Sequence, residues 1–199
     1  MALTPIPDTD IDADSPITVA LMTALRNNGY SGSLIAFTKL TASGTHNCNA
    51  YTRYTVALLV GGGGAGAGVS TSYYSTCSGM SSTQEWSGAA RSGSDALTIG
   101  IGAGGTGVSA ASGNTGGSTT LTGHTTAVGG LGGLYSPGAA GSFHGQAGIG
   151  RGGAAVASGA GSAAPANSGG GGSHAVFDGL SNYAGGAGGS GVIYIWEFG

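Results

Sequence analysis

Residues 58–68 read LLVGGGGAGAG. An aliphatic run stops at four consecutive glycines and then alternates glycine with alanine, and the reading of that junction decides the fold. Upstream, Tyr51–Val60 (YTRYTVALLV) mixes aromatic, β-branched and aliphatic residues and reads as a strand. Glycine loses more backbone freedom on folding than any other residue, so a folded chain keeps such a run only for a geometric reason. Two reasons are available: turns that need positive φ, or backbones packed so closely that a Cβ would not fit.

The same question extends over most of the chain. Glycine supplies 45 of 199 residues, and only Gly29, Gly32 and Gly44 precede position 61, so 42 (45 minus 3) fall in the last 139. Strand-like segments alternate with the glycine runs: Ser33–Leu40, Tyr51–Val60, Ser72–Thr76, Ala96–Ile101, Ser118–Leu121, His124–Val128 and the apolar Val192–Phe198 (VIYIWEF). VIYIWEF needs a sheet partner, and the earlier strands lie on the far side of the glycine tracts. Those tracts therefore close loops inside one fold. They do so either as turns or as extended polyglycine helices with three residues per turn and about 3.1 Å rise, which lack internal hydrogen bonds and are ordered only by bonding to neighbours. Collagen is excluded, because glycine is not at every third position and there are only five prolines.

The N-terminal region is different. Residues 1–13 are rich in Pro and Asp and read as an extended arm. Residues 14–28 (DSPITVALMTALRNN) predict a helix: Asp14 or Ser15 caps, Pro16 takes the first helical position, and Gly29 stops the last turn. Ile17, Ala20, Leu21, Ala24 and Leu25 share one face, an apolar stripe suited to oligomerisation or attachment to a larger particle. The expected organisation is an arm and helix over residues 1–30, then an all-β, glycine-rich, sandwich-like domain over residues 31–199.

Charge and chemistry remove whole classes of function. Charged residues are 7% of the chain and the net charge is −3. The five cations (Arg26, Lys39, Arg53, Arg91, Arg151) are scattered, which argues against nucleic-acid binding. No run of about 18 apolar residues exists, so no membrane insertion is expected. MALTPIPDTDIDAD does not read as a secretory signal. Cys48 and Cys77 are compatible with one bridge or with two free thiols. His46, His124, His144 and His174 lack recognised metal-ligand spacing and read as loop or surface residues, so no metal and no cofactor is expected. Asp8, Asp10, Asp12 and Asp14 start like a calcium loop, but Ala13 and Val19 stand where its glycine and glutamate belong. GIGAGGTG (100–107) has dinucleotide-like spacing without a following helix to hold a phosphate. With no nucleophile or acid–base arrangement, an enzyme is not expected.

The segments LLVGGGGAGAG (58–68), LTIGIGAGG (97–105), GGSTTLTG (116–123), AVGGLGG (127–133) and GGAGGSGVIYIWEF (185–198) occur in that order. The series resembles the glycine-rich domain of bacteriophage tail-fibre proteins, and IDADSPITVALMTALRNN (11–28) is similar to the N-terminal segment of many phage virion proteins. A related theme is the polyglycine sandwich of T-even-type tail-tip adhesins. Leu121 stands where an aromatic is more usual, and the inserts at 69–95 and 134–184 are long for the family.

The resemblance implies a non-enzymatic virion protein of the phage tail, made in the host cytoplasm and mediating host attachment. Its implied partners are other tail or baseplate proteins, a host surface glycan or outer-membrane protein, and two further copies in a homotrimer. Ile17, Leu21, Ala24 and Leu25 would form the attachment helix. Tyr73, Tyr74, Trp86, Tyr135, Phe143, Phe177 and Tyr183 lie in or beside Gly/Ser loops, the setting recognition loops use. Tyr73, Tyr74 and Phe177 are read as core; Trp86, Tyr135, Phe143, His144 and Tyr183 are the receptor-binding candidates. Two alternatives are a structural decoration or connector of the capsid or baseplate without a receptor, and a glycine-rich matrix protein.

Overall fold

A computed structural model describes residues 32–71, 77–135, 148–149 and 151–199. The expected N-terminal helix with its stripe, the strand at 72–76, and Tyr73, Tyr74, Phe143 and His144 lie outside the described residues. Among the described residues the chain is all-β, without a helix. Seven strands form: β1 (Leu34–Leu40), β2 (Gly44–Asn47), β3 (Tyr54–Val60), β4 (Gln84–Ala90), β5 (Ala96–Gly100), β6 (Thr120–Leu121) and β7 (Val192–Phe198). They make two antiparallel sheets, one ordered β1-β7-β3-β4 and the other β2-β5-β6.

The terminal VIYIWEF finds a partner on each side. Ile193, Ile195 and Glu197 of β7 pair with Leu59, Ala57 and Thr55 of β3, and with Leu40, Thr38 and Ala36 of β1. Period two then sends Ile193, Ile195, Ala57 and Leu59 inward. There they join Leu97 and Ile99 of β5, Leu121 of β6, Cys48 and Ala127 in one hydrophobic cluster drawn from both sheets.

Three elements depart from the sequence reading. The first is β2, where GTHN does not read as a strand and forms one by pairing with β5 from Gly44↔Ile99 to Asn47↔Ala96. QEWSGAA becomes β4 although it has no β-branched residue, because it zips onto β3 from Val60↔Gln84 to Tyr54↔Ala90. Strand propensity here yields to pairing with a strong neighbour. His124–Val128 is not a strand: the His124 N–H donates to the Leu121 carbonyl in a turn, and Ala127 makes only an isolated bridge to Thr119.

Above the sheets the strands run on as glycine segments. Segment 61–69, which continues β3, is buried throughout and makes no hydrogen bond to itself. Its donors rotate among three neighbours with a period of three. Gly62, Ala65 and Gly68 donate to the carbonyls of Gly117, Asn114 and Ala111. Gly63, Gly66 and Val69 donate to those of Gly189, Gly186 and Tyr183, while Gly64 and Ala67 donate to Met80 and Cys77. Its carbonyls accept from three more segments: Gly62 and Ala65 from Gly130 and Gly133, Gly64 and Ala67 from Gly172 and Ala175, and Gly63 from Gly105. Six neighbours thus surround one extended backbone.

This packing answers the question posed by residues 58–68. Among the described residues left-handed φ is confined to a few glycines, such as Gly93 (φ 80°) and Gly123 (φ 76°), and to Ser94, Ala110 and Asn167. At Gly64 and Gly66 a Cβ would instead overlap the backbone carbonyls of Leu131 and Ser173. The runs are glycine because their neighbours' backbones occupy the side-chain space. Cys48 and Cys77 are free thiols, the first in the hydrophobic cluster and the second on a glycine segment.

Candidate functional site

The receptor-binding candidates separate into two places. Tyr183 and Tyr135 sit at the end of the glycine body remote from the sheets. Tyr183 bridges Val69, the last residue of segment 61–69, and the Tyr135 hydroxyl bonds Ser70 Oγ at 2.8 Å. At about 3.1 Å per residue, that end lies roughly 28 Å from β3 along nine residues. Both tyrosines are half-buried. The turn at 178–183 is built on Asp178, whose Oδ1 accepts from the Leu180 N–H at 2.9 Å while Oδ2 accepts from the Tyr183 hydroxyl. The Tyr183 hydroxyl, followed by the Leu180 N–H, holds the Asp178 carboxyl below its usual range, and the same bond raises the Tyr183 phenol. Leu180 projects from the tip, 80% exposed. The Thr71 N–H donates to Asn182 Oδ1 at 2.8 Å, joining two of the turns at this end.

Trp86 is elsewhere. It is a mid-strand residue of β4 rather than part of a Gly/Ser loop, 62% exposed on the outer face of the four-stranded sheet. It stacks on Trp196 with centroids 5.4 Å apart, and Trp196 lies 5.2 Å from Phe37. Phe37 stacks in turn on Tyr194, over whose ring Lys39 Nζ stands at 5.6 Å. Four rings from β4, β7 and β1 therefore tile one sheet face. Tyr54 lies across the glycine gap in β4, where a Cβ on Gly88 would meet its hydroxyl. Sequence reading missed this face because Phe37, Tyr194 and Trp196 sit inside strand patterns; period two, extended across paired strands, is the signal that groups them.

A third constellation is interior. Glu197, 2% exposed, points from β7 toward the other sheet. His46 Nε2 bonds its Oε1 at 2.8 Å, while Oε2 accepts from the Thr52 hydroxyl at 2.6 Å and the Asn49 N–H at 2.8 Å. Burial, the largest influence on Glu197, pushes its pKa up, but Thr52, Asn49 and His46 together outweigh it and hold the carboxyl low. Burial, then Glu197 itself, pushes the Cys48 thiol up.

Each described histidine has a side-chain partner; His46 is in β2, whereas His124 and His174 lie outside the strands. His46 bonds Glu197; His174 is buried in the glycine body with Nδ1 3.3 Å from Ser78 Oγ; His124 Nε2 lies 3.1 Å from Thr55 Oγ1. Phe177 is half-buried. Among the described residues no helix is long and apolar enough to cross a membrane. No family model and no curated protein matches the chain.

Proposed function

We propose that this chain is a non-enzymatic bacteriophage virion protein, a tail-fibre or fibre-tip component that mediates attachment to the host cell. On this reading the glycine-rich region is a polyglycine-II body set on a sandwich-like pair of sheets. Residues 1–30 and the sheet end face the particle, and the remote end faces the host. The observation that carries the reading is the polarity of the molecule. The chain enters β1 and leaves β7 side by side, whereas Tyr135, Tyr183 and Leu180 gather at the other end of segment 61–69.

A body held by interleaved backbone hydrogen bonds is a stiff spacer that costs little side-chain entropy. Turns built on tyrosine, serine, asparagine and glycine suit contact with a surface glycan or an outer-membrane protein. Phe143 and His144 belong to the segment between Tyr135 and Gly148, both ends of which are rooted in the body. Ile17, Leu21, Ala24 and Leu25 would join copies into a homotrimer or seat the chain on a tail protein.

The test is competition. Purified protein added to host cells should block phage adsorption, and Tyr183→Ala and Tyr135→Ala should weaken that block at unchanged thermal stability. Undiminished adsorption with protein shown to be folded would overturn the attachment role and leave the virion connector. A broad, undefined oligomer by light scattering would favour a matrix protein.

A further inference from the structure

We infer that His46, Cys48 and Glu197 form a binding site for a borderline-soft divalent cation of the zinc type, clamping the two sheets together. His46 and Cys48 are two residues apart in extended chain, so both side chains leave the same face toward the interior. Glu197 reaches them from β7 of the other sheet. The imidazole nitrogen, the thiol sulfur and a carboxylate oxygen all lie within 4.8 Å of one another. Zinc–ligand bonds of about 2.0–2.3 Å in a tetrahedron place ligand atoms roughly 3.3–3.7 Å apart, so small side-chain rotations close the site.

The surroundings meet the other requirements of a metal centre. Thr52 and Asn49 fix Oε2, which orients the carboxylate and leaves Oε1 to face the cation. The backbone of Cys48 is held by its N–H bond to the Asp95 carbonyl at 2.9 Å. Cys48 and Glu197 are 5% and 2% exposed, while the His46 side chain keeps 12% of its surface open as an entry path. A neutral imidazole, one thiolate and one carboxylate around a dication sum to zero charge, the condition for burying ions cheaply. Thiolate and imidazole select zinc-type ions over magnesium or calcium. On binding, the Cys48 thiol proton leaves to solvent and the imidazole proton resides on Nδ1, freeing Nε2 for the metal. The fourth position is open to water.

Cobalt(II) is the spectroscopic probe. Titration of the full chain is expected to saturate at one equivalent, with a thiolate-to-cobalt charge-transfer band in the near ultraviolet, displaced by zinc. Cys48→Ser should abolish the band, and Cys77→Ser should leave it intact. His46→Gln keeps a donor for Glu197 and so protects the fold; it should weaken binding by roughly tenfold or more. Zinc should raise the thermal midpoint of the parent chain, and a chelator should reverse the rise. No band, a band that survives Cys48→Ser, or a band lost in Cys77→Ser would each overturn the site. Parent-strength binding by His46→Gln would overturn it too.

Discussion

Gly64 and Gly88 are glycines for opposite reasons, and a single methyl group distinguishes them. At Gly64 the obstacle is the backbone of Leu131, which is held in its own hydrogen bonds and cannot yield. Gly64→Ala is therefore expected to cost about 3 kcal/mol, at the upper end for overpacking. At Gly88 the obstacle is the hydroxyl end of Tyr54, a side chain that can swing away. Gly88→Ala should cost less than about 1 kcal/mol, as strand propensity gained offsets the ring moved. Urea denaturation of both variants checks the contrast; equal losses would contradict it.

His124 carries a pH dependence at the same scale. Burial, then the nearby Arg91, holds its pKa below the usual 6.5. Arg91 is fixed there by Nε–H donation to Thr55 Oγ1 at 2.9 Å. The folded state thus resists the proton that the unfolded chain accepts. The stabilisation is complete above about pH 6.5 and is lost as pH falls through the depressed folded value. Denaturation series between pH 8 and pH 5 should show this decline, and His124→Gln should flatten it. An unchanged slope would contradict the assignment.

At the scale of elements, the outer sheet face is distinct from the core beneath it. Trp86 and Trp196 stack across β4 and β7, whose common neighbour β3 contributes Leu58 and Val56 to the same face. Because Trp86 is largely exposed, Trp86→Ala should reduce stability by no more than about 1.5 kcal/mol. A double-mutant cycle with Trp196→Ala should return a coupling of about 1 kcal/mol. Additive effects would mean that the rings do not stabilise one another. The strands β1, β3, β5, β6 and β7 were legible in the sequence because each is rich in β-branched, aliphatic or aromatic residues, whereas β2 was not legible as a strand. Nor was β4, since Gln, Ser, Gly and Ala signal no strand until Tyr54–Val60 offers a template. One element signal went unread: Val128, Leu131 and Leu134 are separated by glycine pairs, and all three are exposed at the period that the hydrogen bonds reveal.

For the whole molecule, the decisive property is how the glycine body is held. Segment 61–69 has no solvent-facing side and bonds to six neighbours, so its amides can exchange only when the body opens. Hydrogen exchange at residues 62–68 should match the global unfolding free energy, and the amides of the exposed turn at 179–182 should exchange far faster. Rapid exchange at 62–68 would mean that the body is not cooperative. On the proposed reading, that cooperativity would let the sheet end and the tyrosine end act as two poles of one rigid object.

The sequence by itself determined the all-β character, the strong strands, and the need for the glycine tracts to fold back inside one body, because those follow from local composition and from an apolar terminal strand that must be paired. It also marked Tyr135 and Tyr183 as residues of loops. Tertiary structure alone decided between turns and close-packed backbones, since the Leu131 carbonyl that forbids a Cβ on Gly64 is 67 residues away in the chain. It alone also brought Glu197 to His46 across 151 residues, a juxtaposition that no local spacing encodes. Glycine records that something is close without recording what, and hydrogen bonds between backbones carry no side-chain code.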